Sequence, residues 1–493
     1  CLQHQINLID TPGHIDMCAE VERSLRVLDG AISVFCGVAG VQPQSETVAR
    51  QANKYKVPRI AFVNKMDRSG ANFYRVVQMM KDRLNAKTLV LQLPIGAEDQ
   101  FVGLVDLVAM NAIIFNDEQY TIQNIPEHML ELTQQYRNEL LETVADYDEK
   151  IMEAYLSESS ISEDDLQAAI RKLTIDNTIT PVLLGSALKN KGVQSLLDAV
   201  ISYLPSPCDV PVTVCRNAKT GEELRREASA DAPTSALVFK LMSDPFLGHL
   251  VFVRVYSGKL EAGSYIYNAS TGRKERIGRL VRIHANKKED IEVLEAGDIG
   301  GVIGLKGAST GVTLCSEDSP VLLESITFAT PVISMSIEPK TKLDSQKLAV
   351  ALQRLGQEDP TFCVKTDEET TQTIISGMGE LHLEIVLDRL KREFGVEVDS
   401  GKPNVAYRES ISKTASGEGK HIAQRGGKGQ YGDVKLTLEP LERGAGFEFV
   451  NATTQGSIPK EFIAPIEKGI IQAMTSGGLG GYPMTDLRAT VTD

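Results

Sequence analysis

The sequence predicts a multidomain protein: an α/β domain carrying an inserted subdomain, a β-barrel, a ferredoxin-like domain and the start of a further α+β domain. Three observations support this. Between Ile6 and Leu204 apolar runs alternate with helix-period segments, the pattern of a doubly wound parallel sheet. From about residue 210 the period drops to two, with Gly-rich turns and no helical interruption. Residues 330–405 then read strand, helix, strand, strand, helix, strand. At 493 residues the chain is too long for one core, so several domains are expected. The changes of pattern set them at 1–208 (with the insert at about 98–180), 210–328, 330–405 and 407–493.

Taken in order, Ile6-Asn7-Leu8-Ile9 is expected to be a buried strand, and a helix follows from about Ile15 with Cys18, Val21, Leu25 and Leu28 on one face. Ala31 to Phe35 and Ile60 to Val63 are the next strands, separated by a helix bearing Val48, Ala52 and Tyr55. The insert opens with short strands, Phe101–Val105 and Ala112–Phe115, and continues as acidic helices over Pro126–Leu156 and from Ser160-Ile161-Ser162-Glu163-Asp164. The chain returns to the sheet at Pro181–Leu184, closes with a helix from Val193 to Leu204, and leaves through Pro205-Ser206-Pro207. Period-two strands follow at 236–241, 250–256, 264–268 and 299–305, best read as a closed antiparallel barrel. The basic run Arg273, Lys274, Arg276, Arg279 and Arg282 suits either an RNA-facing surface or a guarded edge strand. In the third region strands at Val332–Ile337, Phe362–Lys365, Thr371–Ile375 and Val396–Val398 frame two helices. One helix carries Leu348, Leu352 and Leu355, the other Leu383, Leu387, Leu390 and Phe394. His382 and Glu384 lack a second histidine at helical spacing, so they read as a polar helix face and not a zinc motif. Beyond Tyr407 the chain is Gly-rich and locally basic, with Lys413, Lys420, Arg425, Lys428 and Lys435 against Glu418 and Asp433, a phosphate-facing composition. Tyr431 there either stacks on a base or lines a turn.

The chemistry concentrates in the first domain. Asp10-Thr11-Pro12-Gly13-His14 follows the first apolar run. A carboxylate at the carboxyl end of a parallel strand can hold Mg²⁺, usually through water. The amide of Gly13 has no Cβ to keep a phosphate away, and His14 is placed to reach an attacking water or stands as an exposed helix-start histidine. Asn64-Lys65-Met66-Asp67 directly follows the Ile60–Val63 run. A carboxylate such as that of Asp67 accepts two parallel hydrogen bonds from N1–H and the exocyclic amine of guanine, a donor pair that adenine lacks. Asn64 can tie the loop or bond the base, and the Lys65 stem can cover the base face. Gly185-Ser186-Ala187-Leu188 follows the run Val182–Leu184, with amides suited to the guanine carbonyl. In a parallel sheet, all three motifs would fall at the strands' carboxyl ends, where such sheets bind ligands.

In this order, DTPGH at 10–14, NKMD at 64–67 and GSALKNKG at 185–192 resemble the G domain of a translational GTPase. The long gap between Asp67 and Gly185, the βαββαβ region and Gly377-Met378-Gly379-Glu380-Leu381-His382-Leu383-Glu384 resemble elongation factor G over nearly the whole chain. The resemblance implies a P-loop-type G domain that binds and hydrolyses GTP to GDP. Asp10 would hold Mg²⁺, residues 10–14, Asn64, Lys65, Met66, Asp67, Ser186, Ala187 and Leu188 would contact nucleotide, and His14 would orient water for catalysis. It implies the ribosome as partner, both RNA and proteins, and the tRNA–mRNA complex as what is moved. The acidic insert helices would meet a basic ribosomal protein or form a solvated face. A related recycling or ribosome-protection GTPase, or an inactive ribosome-binding protein, is the alternative. No GxxxxGK[ST] loop occurs: Gly419-Lys420 and Gly427-Lys428 are decoys. The expectation is a G domain truncated at its amino end and a fourth domain cut at its carboxyl end, inactive by itself.

Composition adds limits. A net charge of -14 argues against wrapping nucleic acid with the whole surface, so any RNA contact is local. Seven scattered cysteines with no CxxC pair suggest neither a zinc site nor a disulfide framework, and a cytoplasmic location. No apolar stretch is long enough for a membrane span, and a monomer is expected.

Overall fold

The computed structural model describes all residues except 1–3, 117–118, 158, 211–212, 245–247, 286, 306, 325–327, 368–369, 404–406, 426–427 and 455–456; Cys1 and Gly427 therefore lie outside the described residues. The described residues divide into two units, 1–365 with 374–400, and 366–373 with 401–493.

The first unit begins with a parallel sheet. Its strands are β1 (Ala31–Cys36), β2 (Arg59–Asn64) and, later in the chain, Thr88–Val90 and Thr180–Leu184. Helix α1 (Cys18–Leu25) precedes β1, and α2 (Pro43–Lys54) and α3 (Phe73–Leu84) lie between successive strands in sequence. With Thr88–Val90 as β3, the insert contributes β4 (Gln92–Ile95), β5 (Gly103–Asp106), β6 (Asn111–Asn116) and β7 (Gln119–Gln123). Helices α4 (Leu130–Ala145), α5 (Glu149–Leu156) and α6 (Glu163–Ile175) follow, then β8 (Thr180–Leu184) and α7 (Val193–Tyr203). The parallel order is β1-β2-β8-β3, and the insert is a separate antiparallel sheet in the order β4-β5-β6-β7. Ile60, Ala61, Phe62 and Val63 are all but fully buried, as a strand covered on both faces requires. Ser162 caps α6, its hydroxyl accepting from the Asp165 amide at 3.2 Å.

The expected strand at Ile6–Ile9 does not form. Residues 4–13 have no regular structure, and Leu8 is 82% exposed. A strand needs a ladder for its amides and carbonyls, and this segment instead lies along the second region. Gln5 donates to Asp298 at 3.1 Å, and Ile9 packs with Val27, Leu237 and Phe239.

The barrel is an antiparallel ladder in the order 273–276, 265–268, 313–315, 235–244, 248–257, 299–303, 279–284, 287–291. Only Ile277 and Gly278 separate Arg273–Arg276 from Arg279–His284, so two distant positions in the ladder are halves of one bent strand. That bend closes the barrel around Val238, Val253, Leu280 and Leu314. The basic run lies on this strand and is partly neutralised. Arg279 forks onto Asp290 at 2.7 and 2.8 Å, and Lys274 pairs with Glu317.

The third region comprises β9 (Ile333–Pro339), α8 (Lys342–Glu358), β10 (Cys363–Thr366), β11 (Thr373–Gly377), α9 (Glu380–Phe394) and β12 (Val398–Gly401), in the order β10-β11-β9-β12. This is the ferredoxin-like arrangement. Val396 is buried ahead of the last strand rather than within it. The polar-face expectation fails for His382, although Glu384 is exposed. His382 is buried, its Nδ1 accepting from the Met378 amide at 3.1 Å and its Nε2 lying 3.0 Å from Asp359. No cluster of three metal-ligating groups occurs among the described residues.

Helix α1 and the turn after it touch all three regions. Glu22 accepts from Lys54 and Tyr55 of the α2 end, each at 2.8 Å. Buried Arg23 donates to the Glu358 carbonyl at 2.9 Å. Buried Arg254 of the barrel grips Asp29 with two nitrogens, at 2.8 and 2.7 Å, and also donates to the Val27 carbonyl. Breaking such a pair from one side leaves a buried charge uncompensated, at several kcal/mol.

In the second unit Ala415–Arg425, Lys428–Pro440, Leu487–Val491 and Phe447–Asn451 form one sheet in that order, backed by a helix over Ile463–Ser476. Gly419 and Lys420 lie in its first strand, an extended setting unlike a phosphate loop. Lys420 pairs with Asp433 at 3.3 Å and lies over the ring of Tyr431, which is exposed on the neighbouring strand and lines no turn. No helix among the described residues is long and apolar enough to cross a membrane.

Burial by itself would raise the Asp359 carboxyl. The His382 and Thr361 hydrogen bonds and the Arg23 charge outweigh it and hold the group at about 2. This depressed value adds stability above the ordinary carboxylate range that is lost as pH falls from about 4 toward 2, on the order of 2 kcal/mol. Acid titration of the folded state is expected to show that loss in the wild-type chain. Asp359→Asn should flatten the slope in that window, with stability at pH 7 lowered.

Candidate nucleotide-binding site

Strand β2 ends at Asn64, and β8 ends one residue before Gly185, side by side in the parallel sheet. Backbone bonds zip the two exits together: Gly185 N donates to Val63 O at 2.9 Å and Met66 N to Gly185 O at 3.1 Å. Gly185 is required here, since a Cβ would lie 2.4 Å from the Lys191 carbonyl. The Asn64 side-chain oxygen then accepts from two amides, Lys65 at 2.7 Å and Ala187 at 2.9 Å. One oxygen thus fixes both loops at once. Lys65 adopts a left-handed backbone with φ 64°, a conformation costly for a residue with a side chain and found where the surroundings impose it.

Asp67 is held from the second loop. Fully buried Ser186 donates its hydroxyl to Asp67 Oδ1 at 2.6 Å. Among the described residues no protein group bonds Asp67 Oδ2. Met66 is buried beneath the loop, whereas Lys65, Ala187 and Leu188 are exposed around it, Leu188 to 79%. Lys191 carries the second loop back onto the insert, donating to the Phe101 carbonyl at 2.6 Å. The arrangement offers an oriented carboxylate with free lone pairs, amides from a short loop, and the Lys65 stem and Leu188 as apolar borders. These features suit a flat ring that presents two adjacent donors.

The other motif is placed differently. Asp10, Thr11, Pro12, Gly13 and His14 are all exposed in the segment before a 3₁₀ turn at Ile15–Met17, so Asp10 does not end a sheet strand. Around Gly13 no protein atom would meet an added Cβ. His14 caps the turn, its Nδ1 accepting from the Asp16 amide at 3.3 Å, which leaves Nε2 toward solvent. No hydrogen bond joins residues 10–14 to the 64–67 or 185–188 loops among the described residues. The structure therefore assembles Asn64, Lys65, Met66, Asp67, Ser186, Ala187 and Leu188 into one place, and leaves Asp10–His14 outside that bonded set.

The residues after His14 hold a feature that sequence reasoning missed. Asp16 reaches the first turn of α9, where its carboxylate accepts from Leu381 N at 3.0 Å, an anion at a helix N-terminus. Gly379 makes room for it: a Cβ there would sit 2.2 Å from the Asp16 carboxylate. The glycines of Gly377-Met378-Gly379 signalled a close approach, but nothing in the local pattern named a partner more than three hundred residues away.

Asn64→Ala is expected to free both loops. Hydrogen exchange should speed up at the Lys65 and Ala187 amides by about 10-fold, the worth of one such bond, while the thermal midpoint stays nearly unchanged because both amides can bond water. Unchanged exchange at Ala187 would show that the Asn64 oxygen does not tie the loops.

Family models match along the chain: the elongation factor Tu GTP binding domain over residues 2–206, elongation factor Tu domain 2 over 248–315, elongation factor G domain III over 328–402 and elongation factor G domain IV over 403–493. The chain is also similar to a crystal structure of a protein from Thermus thermophilus, at 31% sequence identity and a TM-score of 0.83, covering 98% of this chain and 70% of that one. The chain belongs to the elongation factor G type of translational GTPases.

Proposed function

We propose that the Asn64–Asp67 and Ser186–Leu188 loops of this chain are the guanine-reading part of a GTPase that, with Mg²⁺, hydrolyses GTP to GDP on the ribosome and couples the reaction to movement of tRNA and mRNA. The single observation that supports this best is the Asp67 carboxylate, oriented by Ser186 and left with a free Oδ2 beside two loops tied by Asn64. Guanine N1–H and its exocyclic amine would bond Asp67, the Ala187 amide region would meet the guanine carbonyl, and Lys65 and Leu188 would flank the ring. Adenine would leave the carboxylate facing an acceptor, at a cost of roughly 1–3 kcal/mol for each lost bond.

Asp10 is exposed and has no protein partner among the described residues, which fits an ion that keeps most of its waters and takes one or two carboxylates. When bound, Mg²⁺ would neutralise charge on the phosphates. Nothing lies within 4 Å of where a Gly13 Cβ would stand, so the backbone there is open to the approach of a terminal phosphate. His14, with Nδ1 engaged by the Asp16 amide, keeps Nε2 for a water, and orienting that water is the part of phosphoryl transfer left to a side chain. The insert helices supply an acidic surface for a basic ribosomal protein, and the hairpin around Lys420 and Tyr431 supplies a local contact for RNA.

Asp67→Asn replaces an acceptor by a donor. In the full-length protein it is expected to move preference from guanine toward xanthine nucleotides by about 100-fold, read as ribosome-stimulated hydrolysis of each triphosphate. An unchanged preference for guanine would overturn the role given to Asp67.

A further inference from the structure

The hairpin that opens the insert touches both loops of the candidate guanine site. Between β4 and β5 the chain makes one 3₁₀ turn, Glu98–Gln100, and leaves it at Phe101. Two bonds go out from this turn. The Glu98 carboxylate accepts from the Gly70 amide at 2.7 Å, in the turn that follows Asp67. The Phe101 carbonyl accepts from Lys191 Nζ at 2.6 Å. The backbone of Lys191 closes the second loop, exchanging bonds with Ser186 at 2.9 and 3.0 Å. Ser186 is the residue whose hydroxyl holds Asp67. Asn64 thus ties the two loops to each other, and the turn ties each of them to the insert.

The turn is built to hold its place. Phe101 is fully buried in the domain core, and β4 pairs with β5 from Gln92 opposite Asp106 to Ile95 opposite Gly103. Buried Gln92 accepts from the Leu184 amide at 3.3 Å, so the root of the hairpin is fixed to the end of β8, the strand from which the second loop leaves. Gly96 takes φ 81°, and a Cβ there would overlap the Gln100 carbonyl. Glu98 itself has a left-handed backbone with φ 54°, a setting that costs free energy in a residue with a side chain and persists where the surroundings impose it. That backbone belongs to the residue whose carboxylate reaches the first loop.

We propose that Glu98 and Lys191 are positioning residues for guanine recognition, through which the insert's turn sets the spacing between the Asp67 carboxylate and the amides of the Ser186–Leu188 loop. Each acts through a loop and not on the base. The inference rests on the guanine-reading role given to those loops, and adds the insert to the parts that decide specificity. A carboxylate that accepts from N1–H and the exocyclic amine at once tolerates little displacement, because hydrogen bonds weaken steeply with misalignment. Loosening either loop therefore costs guanine, which makes both bonds, more than hypoxanthine, which makes one.

The test is the ratio of guanosine to inosine diphosphate affinity in the full-length protein, read by displacement of a fluorescent guanosine diphosphate. Glu98→Ala, and Lys191→Met, which keeps the stem and loses the donor, should each lower that ratio by about 5-fold. A general loosening of the fold would weaken both nucleotides alike and leave the ratio where it was. Glu98→Gln keeps an acceptor and Lys191→Arg a donor, so each should stay within about 2-fold of the parent. Asp99→Ala, at an exposed position of the same turn, should change nothing. Both anchor residues are only half-buried, so the variants are expected to fold. Asp67→Asn in the same assay separates the two ways of failing. If it abolishes the guanosine–inosine difference while Glu98→Ala and Lys191→Met preserve it, the positioning role is overturned and the reading of the loops stands. If Asp67→Asn preserves the difference as well, both are overturned.

Discussion

The side-chain oxygen of Asn64 is the constraint on which the candidate nucleotide site depends. It accepts two amides, one from its own loop and one from a loop more than a hundred residues later in the chain. Without it, the exits of β2 and β8 would be joined by backbone bonds at Gly185 and by the Ser186–Asp67 bond alone. A single acceptor satisfying both donors holds the two loops in fixed relation before any ligand arrives. Preorganisation of this kind lowers the ordering cost of binding. The sheet contributes the rest: Val63 and Leu184 are buried, so the loops that leave them start from a fixed base.

A second set of contacts surrounds α1. Glu22, Arg23 and the Val27–Asp29 turn are each held by a different part of the protein: the α2 end, the carbonyl at the end of α8, and the barrel's Arg254. Asp16, two residues after His14, is seated on α9. The segment that would sense a terminal phosphate is thus bonded at its far end to the ferredoxin-like domain. A change of position at Asp10–His14 would have to be accommodated at Asp16 and Arg23, and these contacts are charged and directional. The segment that carries Asp10–His14 is thus tied to the ferredoxin-like domain through few, directional bonds.

Much of this was legible in the sequence because the relevant signals are local. The run Ile60–Val63 followed by Asn64-Lys65-Met66-Asp67 gives both the strand and the turn after it, and apolar spacing gives α1, α2, α8 and α9. The βαββαβ order is likewise a succession of periods. What failed was what depends on distant partners. Ile6–Ile9 has the composition of a buried strand, but its fate rests on whether a ladder is available, and here Gln5 and Ile9 meet the barrel instead. His382 reads as a polar-face residue because no second histidine stands at helical spacing, yet Asp359 and the Met378 amide satisfy it inside. Strands β4 and β7 are only four and five residues long, too short to stand out by period, and emerge through pairing with β5 and β6.

The central claim is that the two loops tied by Asn64 read the donor edge of guanine through Asp67. Inosine keeps N1–H but lacks the exocyclic amine, and adenosine lacks both donors. Competitive displacement of a fluorescent guanosine diphosphate from the full-length protein by guanosine, inosine and adenosine diphosphates tests this most directly. Inosine diphosphate should bind more weakly than guanosine diphosphate by roughly 10–100-fold, the worth of one bond to a charged group, and adenosine diphosphate more weakly again. Equal displacement by all three would contradict it.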